Sequence, residues 1–450
     1  MPELGSCPPR RVLQCNRNPS IGKTLMTDLI RLSAIDIAKK MAQREITAEQ
    51  YVRALLARID ERDGSVRAFV HVGREPALAA AKALDQGAVQ GMLHGIPLGV
   101  KDIFETYDMP TQGGSNVYKG LHTALDAACV AATRRAGGII LGKTVTTELA
   151  TFPHNETRNP HNLEHTPGGS SSGSAAAVAD FMLPLATGTQ TLGSTIRPGS
   201  FCGVVAYKPT YNLIPKKGVW NSADSLDTVG GFARSVPDIA LWVAGVMSYR
   251  GLLVPESVPA PRIGLCKTHE WDNATPEMQA CLMSAAAKLA KAGAVVKDVT
   301  LPDRFKGLLQ AQIAVGVWET GRSFADECHR FGEKLRPELF ERCGHAYDVD
   351  PAVYHGAQAL GRECRQMIPD AMGDCDVLLA PAAPGEAPKG MPTGNPIFNQ
   401  VWTFLHTPCV GIPAGIGPQG LPLGLQVVGR LGDDARTLAA AHWVHQRLAA

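Results

Sequence analysis

The 450-residue chain has almost no net charge: 44 Lys and Arg stand against 42 Asp and Glu, a balance of +2. That balance excludes a strongly basic nucleic-acid binder and an acidic tail protein. No stretch approaches the roughly 18 apolar residues that a membrane helix requires, so the chain reads as soluble. The eleven cysteines include no C-x-x-C pair and no zinc-ribbon spacing. They read as scattered free thiols in a reducing compartment, the cytoplasm. There is no internal repeat and no convincing linker. Residues 1–25 lack both the apolar core of a secretory signal and helical periodicity. They read as a disordered extension carrying Cys7 and Cys15, with Met26 as the candidate natural start.

Glycine and proline are in excess, with 46 and 32 residues. In a chain that is 45% hydrophobic and 19% charged, which is a globular composition, such a surplus implies many tight turns and close backbone approaches. Helical patterns cover 29–60, where Thr47 and Gln50 form a candidate capping box, then 76–86, Asp126–Ala136, Ser174–Phe181 and Pro276–Ala292. They also cover about 306–330, 354–370 and Ala435–Leu448. Short apolar strands are expected to end at Val100–Lys101 and to span Ile139–Leu141, Leu183–Thr187, Val204–Lys208, Arg262–Cys266 and Ala294–Val299. Further strands are expected near Asp376–Ala380, Cys409–Ile412 and Leu423–Val428. This alternation predicts an α/β fold: one domain over 26–450, with a mostly parallel mixed sheet covered by helices on both faces. Residues of about 300–370 read as a helical insertion.

Two motif matches fail on context. Gly137 to Thr144 fits G-x-x-x-x-G-K-[ST], but Ile139, Ile140 and Leu141 are themselves the strand, so their amides are not free for phosphate. His161-Asn-Leu-Glu164-His165 fits an inverted zinc-protease motif. Pro160 and Pro167 bracket it too tightly for the helix that metal binding needs. No metal or cofactor is called for.

Three segments remain. Gly95-Ile-Pro-Leu-Gly-Val-Lys101-Asp102 puts a lysine at the end of an apolar strand, where an ammonium is costly to bury. A strand-end lysine reaching solvent is the plainer alternative. Pro167-Gly-Gly-Ser170-Ser-Ser-Gly-Ser174 is a Gly/Ser turn running straight into an Ala-rich helix. Gly188-Thr-Gln-Thr-Leu192-Gly193-Ser194-Thr-Ile-Arg197 is a second such turn, after a strand. These segments supply serine nucleophiles and a lysine but no histidine partner. A desolvated, neutral lysine can take a proton in that role.

In this order, with Lys101 and Ser170 69 residues apart and Ser170 and Ser194 24 apart, the segments resemble the amidase signature family. The resemblance is strongest over 94–211 and weaker over about 27–448. It implies a large mixed sheet and a Ser–cis-Ser–Lys triad: Ser194 as nucleophile, Ser170 after a cis Gly169–Ser170 bond as relay, and Lys101 as base. It implies an oxyanion hole from the amides of Thr191, Leu192, Gly193 and Ser194. It also implies a small-molecule amide substrate without nucleic acid or membrane, and a homodimer as candidate assembly.

Two departures stand out. Leu192 occupies a position where most members have glycine, which puts the backbone geometry and the acyl pocket at issue. Arg197 lies one residue further from the nucleophile than usual, and Gln190 stands where Asp is common. Both features resemble the malonamidase branch, in which the arginine holds a substrate carboxylate. The stretch FNQVWTFLHTPCV, residues 398–410, resembles that branch as well. This implies substrate contacts from Arg197, Gly169 and Gln190, with a loop-pinning role for Arg197 as the alternative. The implied activity is hydrolysis of linear carboxylic amides with release of ammonia or an amine. The alternatives are hydrolysis of carbamates, aryl amides or urea derivatives on the same triad, and participation in a tRNA-dependent amidotransferase as one of its subunits. The remaining reading is a binding protein whose oxyanion hole Leu192 has weakened.

Overall fold

A computed structural model describes residues 28–151 and 156–449. The proposed extension at 1–25, Met26, Cys7 and Cys15 lie outside the described residues. Eleven strands form one sheet in the order β1-β3-β2-β4-β6-β5-β10-β11-β9-β7-β8. They are β1 Phe69–Val72, β2 Pro97–Lys101, β3 Ile139–Thr144, β4 Leu185–Gln190, β5 Val205–Lys208, β6 Thr228–Ala233, β7 Arg262–Leu265, β8 Val295–Asp298, β9 Val377–Pro381, β10 Cys409–Ile416 and β11 Pro422–Val428. Every residue of β2 to β6, β9 and β11 is buried. Burial of both faces of a strand requires helices or loops on each side of the sheet.

The large mixed α/β sheet agrees with the sequence pattern, but its balance does not. Four pairings are parallel (β2 with β3 and β4, β7 with β8 and β9) and six are antiparallel. The expectation of a mostly parallel sheet is therefore corrected. Two of these antiparallel pairings lie in the middle, where β6 runs antiparallel to both β4 and β5, and the others include β10 against β5 and β11 and β11 against β9. The sequence of β6, Thr-Val-Gly-Gly-Phe-Ala, hides it, because paired glycines read as a turn. Those glycines are forced by close packing. A Cβ on Gly230 would lie 2.2 Å from the Tyr207 carbonyl oxygen, and one on Gly231 would lie 2.7 Å from that of Ala186.

Local signals are met where chemistry is explicit. Thr47 and Gln50 form a complete capping box on the helix Ala48–Val66. Gly137, at φ +88, follows the helix Ala128–Arg135. The stretch between β8 and β9 holds helices and no strand, including Leu308–Ser323, Pro337–His345 and Pro351–Met372. Among the described residues, no helix is long and apolar enough to cross a membrane.

Candidate active site

Neighbouring strands bring the lysine and its partners together. Lys101 ends β2, which lies parallel to β4. Side chains two apart on a strand share a face, so Thr187 and Thr189 of β4 both point at Lys101. The Thr187 hydroxyl accepts from the Lys101 backbone amide at 2.9 Å. Lys101 Nζ donates to Thr189 Oγ1 and to Ser170 Oγ, each at 2.8 Å. The side chain is fully buried, which overturns the strand-end reading in which it reaches solvent. Burial, opposed in part by Asp227, pushes its pKa from 10.5 down to about 7. A buried ammonium without an adjacent carboxylate loses its proton readily.

Ser170 follows a cis Gly169–Ser170 peptide and precedes the helix Ser172–Ala179. Ser171 ties this turn to β4, its hydroxyl accepting from the Thr189 amide at 3.3 Å. β4 runs on through Gln190, three residues beyond the expected end, so Gly188 and Gln190 are strand residues and the turn begins at Thr191.

Ser170 and Ser194 line one small cavity, together with Thr191, Leu192, Arg197 and Arg342. Ala150, Thr151, Ser222, Thr320 and Thr393 complete it. No oxygen among the described residues accepts from the amides of Leu192, Gly193 or Ser194. Three unpaired amides beside a serine hydroxyl can receive a developing oxyanion.

The loop is clamped from the far side. The Thr403 hydroxyl reaches the Leu192 carbonyl at 3.2 Å, and Gln312 Nε2 reaches that of Thr191 at 3.1 Å. Gln400 Nε2 in turn donates to Gln312 Oε1 at 2.9 Å. A Cβ on Gly193 would lie 2.4 Å from Asn399 Oδ1. Asp227 accepts from the Thr191 hydroxyl, and from the amides of Ser222 at 2.6 Å and Ala223 at 3.2 Å. Sequence reasoning missed the roles of Gln312, Thr403, Asn399 and Asp227. Their separation of up to about two hundred residues from the loop left no local signal. Asn399 and Thr403 do fall within the FNQVWTFLHTPCV stretch, which hints at a shared function without saying what it is.

The remaining expected contacts divide. Neither Leu192 nor Gly193 has a positive φ, so leucine sits at 192 without backbone strain, and its side chain narrows the cavity. Arg197 bonds the turn that precedes Ser170 and has two nitrogens without partners. Nη2 donates to the Gly169 carbonyl at 2.6 Å, while Nε and Nη1 are buried without a partner. Burial lowers its pKa to about 9. Gly169 holds this arginine through its carbonyl and is not part of the cavity wall. Gln190, expected to touch substrate, does not reach the cavity. Its Oε1 accepts from the amides of Thr195 and Ile196 at 3.1 and 3.0 Å, and its Nε2 donates to Thr403 Oγ1 at 2.9 Å. The oxygen holds the start of the helix Ile196–Cys202, and the nitrogen ties it to the helix Ile397–Phe404.

The rejected motifs are absorbed by packing. Lys143 is buried on β3, 3.2 Å from Asp102, and bonds Phe104 O and Thr111 Oγ1 at 2.8 and 2.7 Å. The rings of His161 and His165 engage the carbonyls of Cys202 and Ala387 at 3.0 and 2.7 Å, from a loop rather than a helix.

Known proteins resemble the chain along most of its length. The A subunit of glutamyl-tRNA(Gln) amidotransferase from Agathobacter rectalis is 31% identical over 475 residues, covering 92% of this chain and 93% of that protein. A solved, inhibitor-bound complex of an s-triazine catabolic enzyme superposes with a TM-score of 0.85 at 28% identity, covering 93% and 100% of the two chains. The peptide amidase of Stenotrophomonas maltophilia gives 0.78 at 28%, covering 93% and 97%. The expected closeness to the malonamidase branch is corrected, since curated relatives at 31%, 32% and 34% identity are amidotransferase A subunits. The amidase family model matches residues 50–438, and the chain belongs to the amidase family.

Proposed function

We propose that the protein hydrolyses small linear amides that carry a carboxylate, releasing ammonia through an acyl-enzyme on Ser194. The observation that carries this reading is Lys101: buried, shifted to about 7, and hydrogen bonded to Ser170 in the cavity that Ser194 lines. Ser194 Oγ attacks the carbonyl carbon while its proton passes through Ser170 Oγ to Lys101 Nζ. The carbonyl oxygen becomes an oxyanion held by the amides of residues 192–194. Such donors contribute roughly 3–4 kcal/mol each in related chemistry. The oxyanion collapses, the C–N bond breaks, and the relayed proton goes to the departing nitrogen. Water then attacks the ester, its proton taking the same path, and Ser194 is regenerated. Arg197, with two buried nitrogens lacking partners, holds the substrate carboxylate beside the acyl group.

A second reading is favoured by the names of the curated relatives. In it, the same chemistry frees ammonia from a carboxamide for a partner protein that acts on charged tRNA. Both readings share the acyl-enzyme. Mass spectrometry of protein quenched during turnover of malonamate, glutaramate or L-glutamine identifies the acyl group on Ser194. Loss of the adduct in Ser194→Ala supports the mechanism, and turnover undiminished in that variant refutes it. Co-purification with a tRNA-binding partner, with ammonia transfer between the two, decides for the amidotransferase reading.

A further inference from the structure

Two adjacent residues beside the cavity hold a backbone conformation that side chains disfavour. Leu149 and Ala150 have φ of +47° and +59°. Among the described residues they are the only neighbouring non-glycine pair with positive φ. Left-handed backbone is unfavourable for any residue with a Cβ, and it persists only where the surroundings impose it. Ala150 lines the cavity. The same turn backs the relay serine, because the Thr147 amide donates to the Ser170 carbonyl at 3.3 Å.

What imposes it comes from far along the chain. Glu148 is buried and takes no part in the proton relay. Its Oε1 accepts from Ser115 Oγ at 2.7 Å, and its Oε2 from the Arg336 amide at 2.8 Å, 188 residues further on. Arg336 is the N-cap of the helix Pro337–His345. Leu149 packs its side chain among Phe324, Leu335, Leu339 and Cys343, all from the helical stretch between β8 and β9. The Leu149 amide donates to the Gly113 carbonyl at 2.7 Å. A carboxylate held at both oxygens fixes the direction of its own backbone, and the buried leucine beside it fixes the next residue. Together they hold the turn against its preference to relax.

We infer that Glu148 is a positioning residue: it ties the helical stretch at 324–343 to the turn at 147–150, and so fixes the cavity wall at Ala150 and the backbone behind Ser170. The inference rests on the amide-hydrolysing reading above and adds what keeps that site in shape. The role is geometric and does not need the charge. Glutamine at 148 can take the Arg336 amide on Oε1 and donate to Ser115 Oγ from Nε2, whereas alanine offers neither contact. Once the contacts are gone, the turn relaxes towards negative φ and the wall moves. Glycine adopts the left-handed region freely, so glycine at 150 keeps the turn in place without them.

The rate at which a fluorophosphonate labels Ser194 tests this in the full chain, with kcat/KM for malonamate measured alongside. Glu148→Ala is expected to slow labelling by about 30-fold. Glu148→Gln is expected to recover it to within about threefold of wild type. Ala150→Gly added to Glu148→Ala is expected to recover about tenfold. Wild-type labelling in Glu148→Ala overturns the inference. So does a Glu148→Gln as slow as Glu148→Ala, which would make the charge the working part, or a double variant no faster than Glu148→Ala. Should Glu148→Ala fail to fold, Ser115→Ala removes one of the two contacts in its place. About a fivefold loss is then expected, and no loss overturns the inference. If malonamate is not hydrolysed while labelling follows the expected pattern, the choice of substrate falls and the role of Glu148 stands. If wild type is not labelled at all, the amidase reading falls, and this inference with it.

Discussion

Lys101→Met should abolish activity and stabilise the fold, by an amount that depends on pH. Burial lowers the folded-state pKa of Lys101 from 10.5 to about 7. The unfolded chain therefore binds a proton that the folded chain has lost between those values. For a depressed pKa, stability is greatest above pH 10.5 and falls as pH drops to about 7. At 1.36 kcal/mol per unit, the full cost on the acid side is about 5 kcal/mol. Roughly 3 kcal/mol of it is recovered between pH 7 and pH 9.5. Against this stand the bonds from Nζ to Ser170 and Thr189, worth about 1 kcal/mol each. Lys101→Met should thus be more stable than wild type by about 3 kcal/mol at pH 6 and near parity at pH 9.5. The chain is long for two-state unfolding, so the direct assay is proton uptake. It is measured by calorimetry at pH 8.5 in buffers of differing ionisation enthalpy. Unfolding wild type should take up about one more proton than unfolding the variant, and no more at pH 5.5. In parallel, wild-type kcat/KM should rise about tenfold per unit below pH 7 and level off above it. Equal proton uptake at pH 8.5 would show that Lys101 is charged in the folded protein, and the neutral-base argument would collapse.

The loop around the nucleophile supports three further tests. Gly193→Ala places a methyl group 2.4 Å from Asn399 Oδ1, and kcat should drop by about 100-fold as the amides move. Adding Asn399→Ala should restore part of the loss, a coupling measurable in a double-mutant cycle; strict additivity would mean that the contact is irrelevant. Gln312→Leu removes the donor to the Thr191 carbonyl and the acceptor for Gln400. It should lower kcat about tenfold with KM nearly unchanged, and a change confined to KM would assign Gln312 to substrate binding instead. Leu192→Gly opens the cavity wall, so kcat/KM for phenylacetamide relative to malonamate should rise by about tenfold. An unaltered ratio would show that Leu192 does not size the acyl pocket.

Much of the architecture was legible because its signals are local. The capping box at Thr47, the glycine stop at Gly137 and the apolar strands expected at 139–141 and near 376–380 each depend on a few adjacent residues. What escaped was set by tertiary contact. β6 is a strand because Gly230 and Gly231 let the backbones of β5 and β4 approach it, and nothing within Thr-Val-Gly-Gly-Phe-Ala announces that pressure. The same strand supplies two of the six antiparallel pairings. In the site, residue types and order pointed to Lys101, Ser170 and Ser194; Ser170 and Ser194 line one cavity, and buried Lys101 is bonded to Ser170. Gln190 was misjudged because a buried glutamine near a nucleophile reads the same in sequence whether it faces substrate or caps a helix. Only the positions of Thr195, Ile196 and Thr403 decide between the two.

The two residues before Ser194 show how far a glycine count carries. Leu192 looked like the anomaly, a side chain where a glycine was expected, and Gly193 looked ordinary. Both have negative φ, so neither position needs glycine for its dihedral angles. The difference lies in what each Cβ meets. At 192 the residue lines the cavity, where a side chain takes up volume. At 193 it points into Asn399 on the helix Ile397–Phe404, whose Nδ2 is already held by the Ala382 carbonyl at 3.0 Å and so cannot swing away freely. The constraint on the oxyanion loop is therefore steric and comes from behind. With leucine at 192 the three amides remain without an acceptor among the described residues, and Leu192→Gly tests whether the side chain governs which substrate fits.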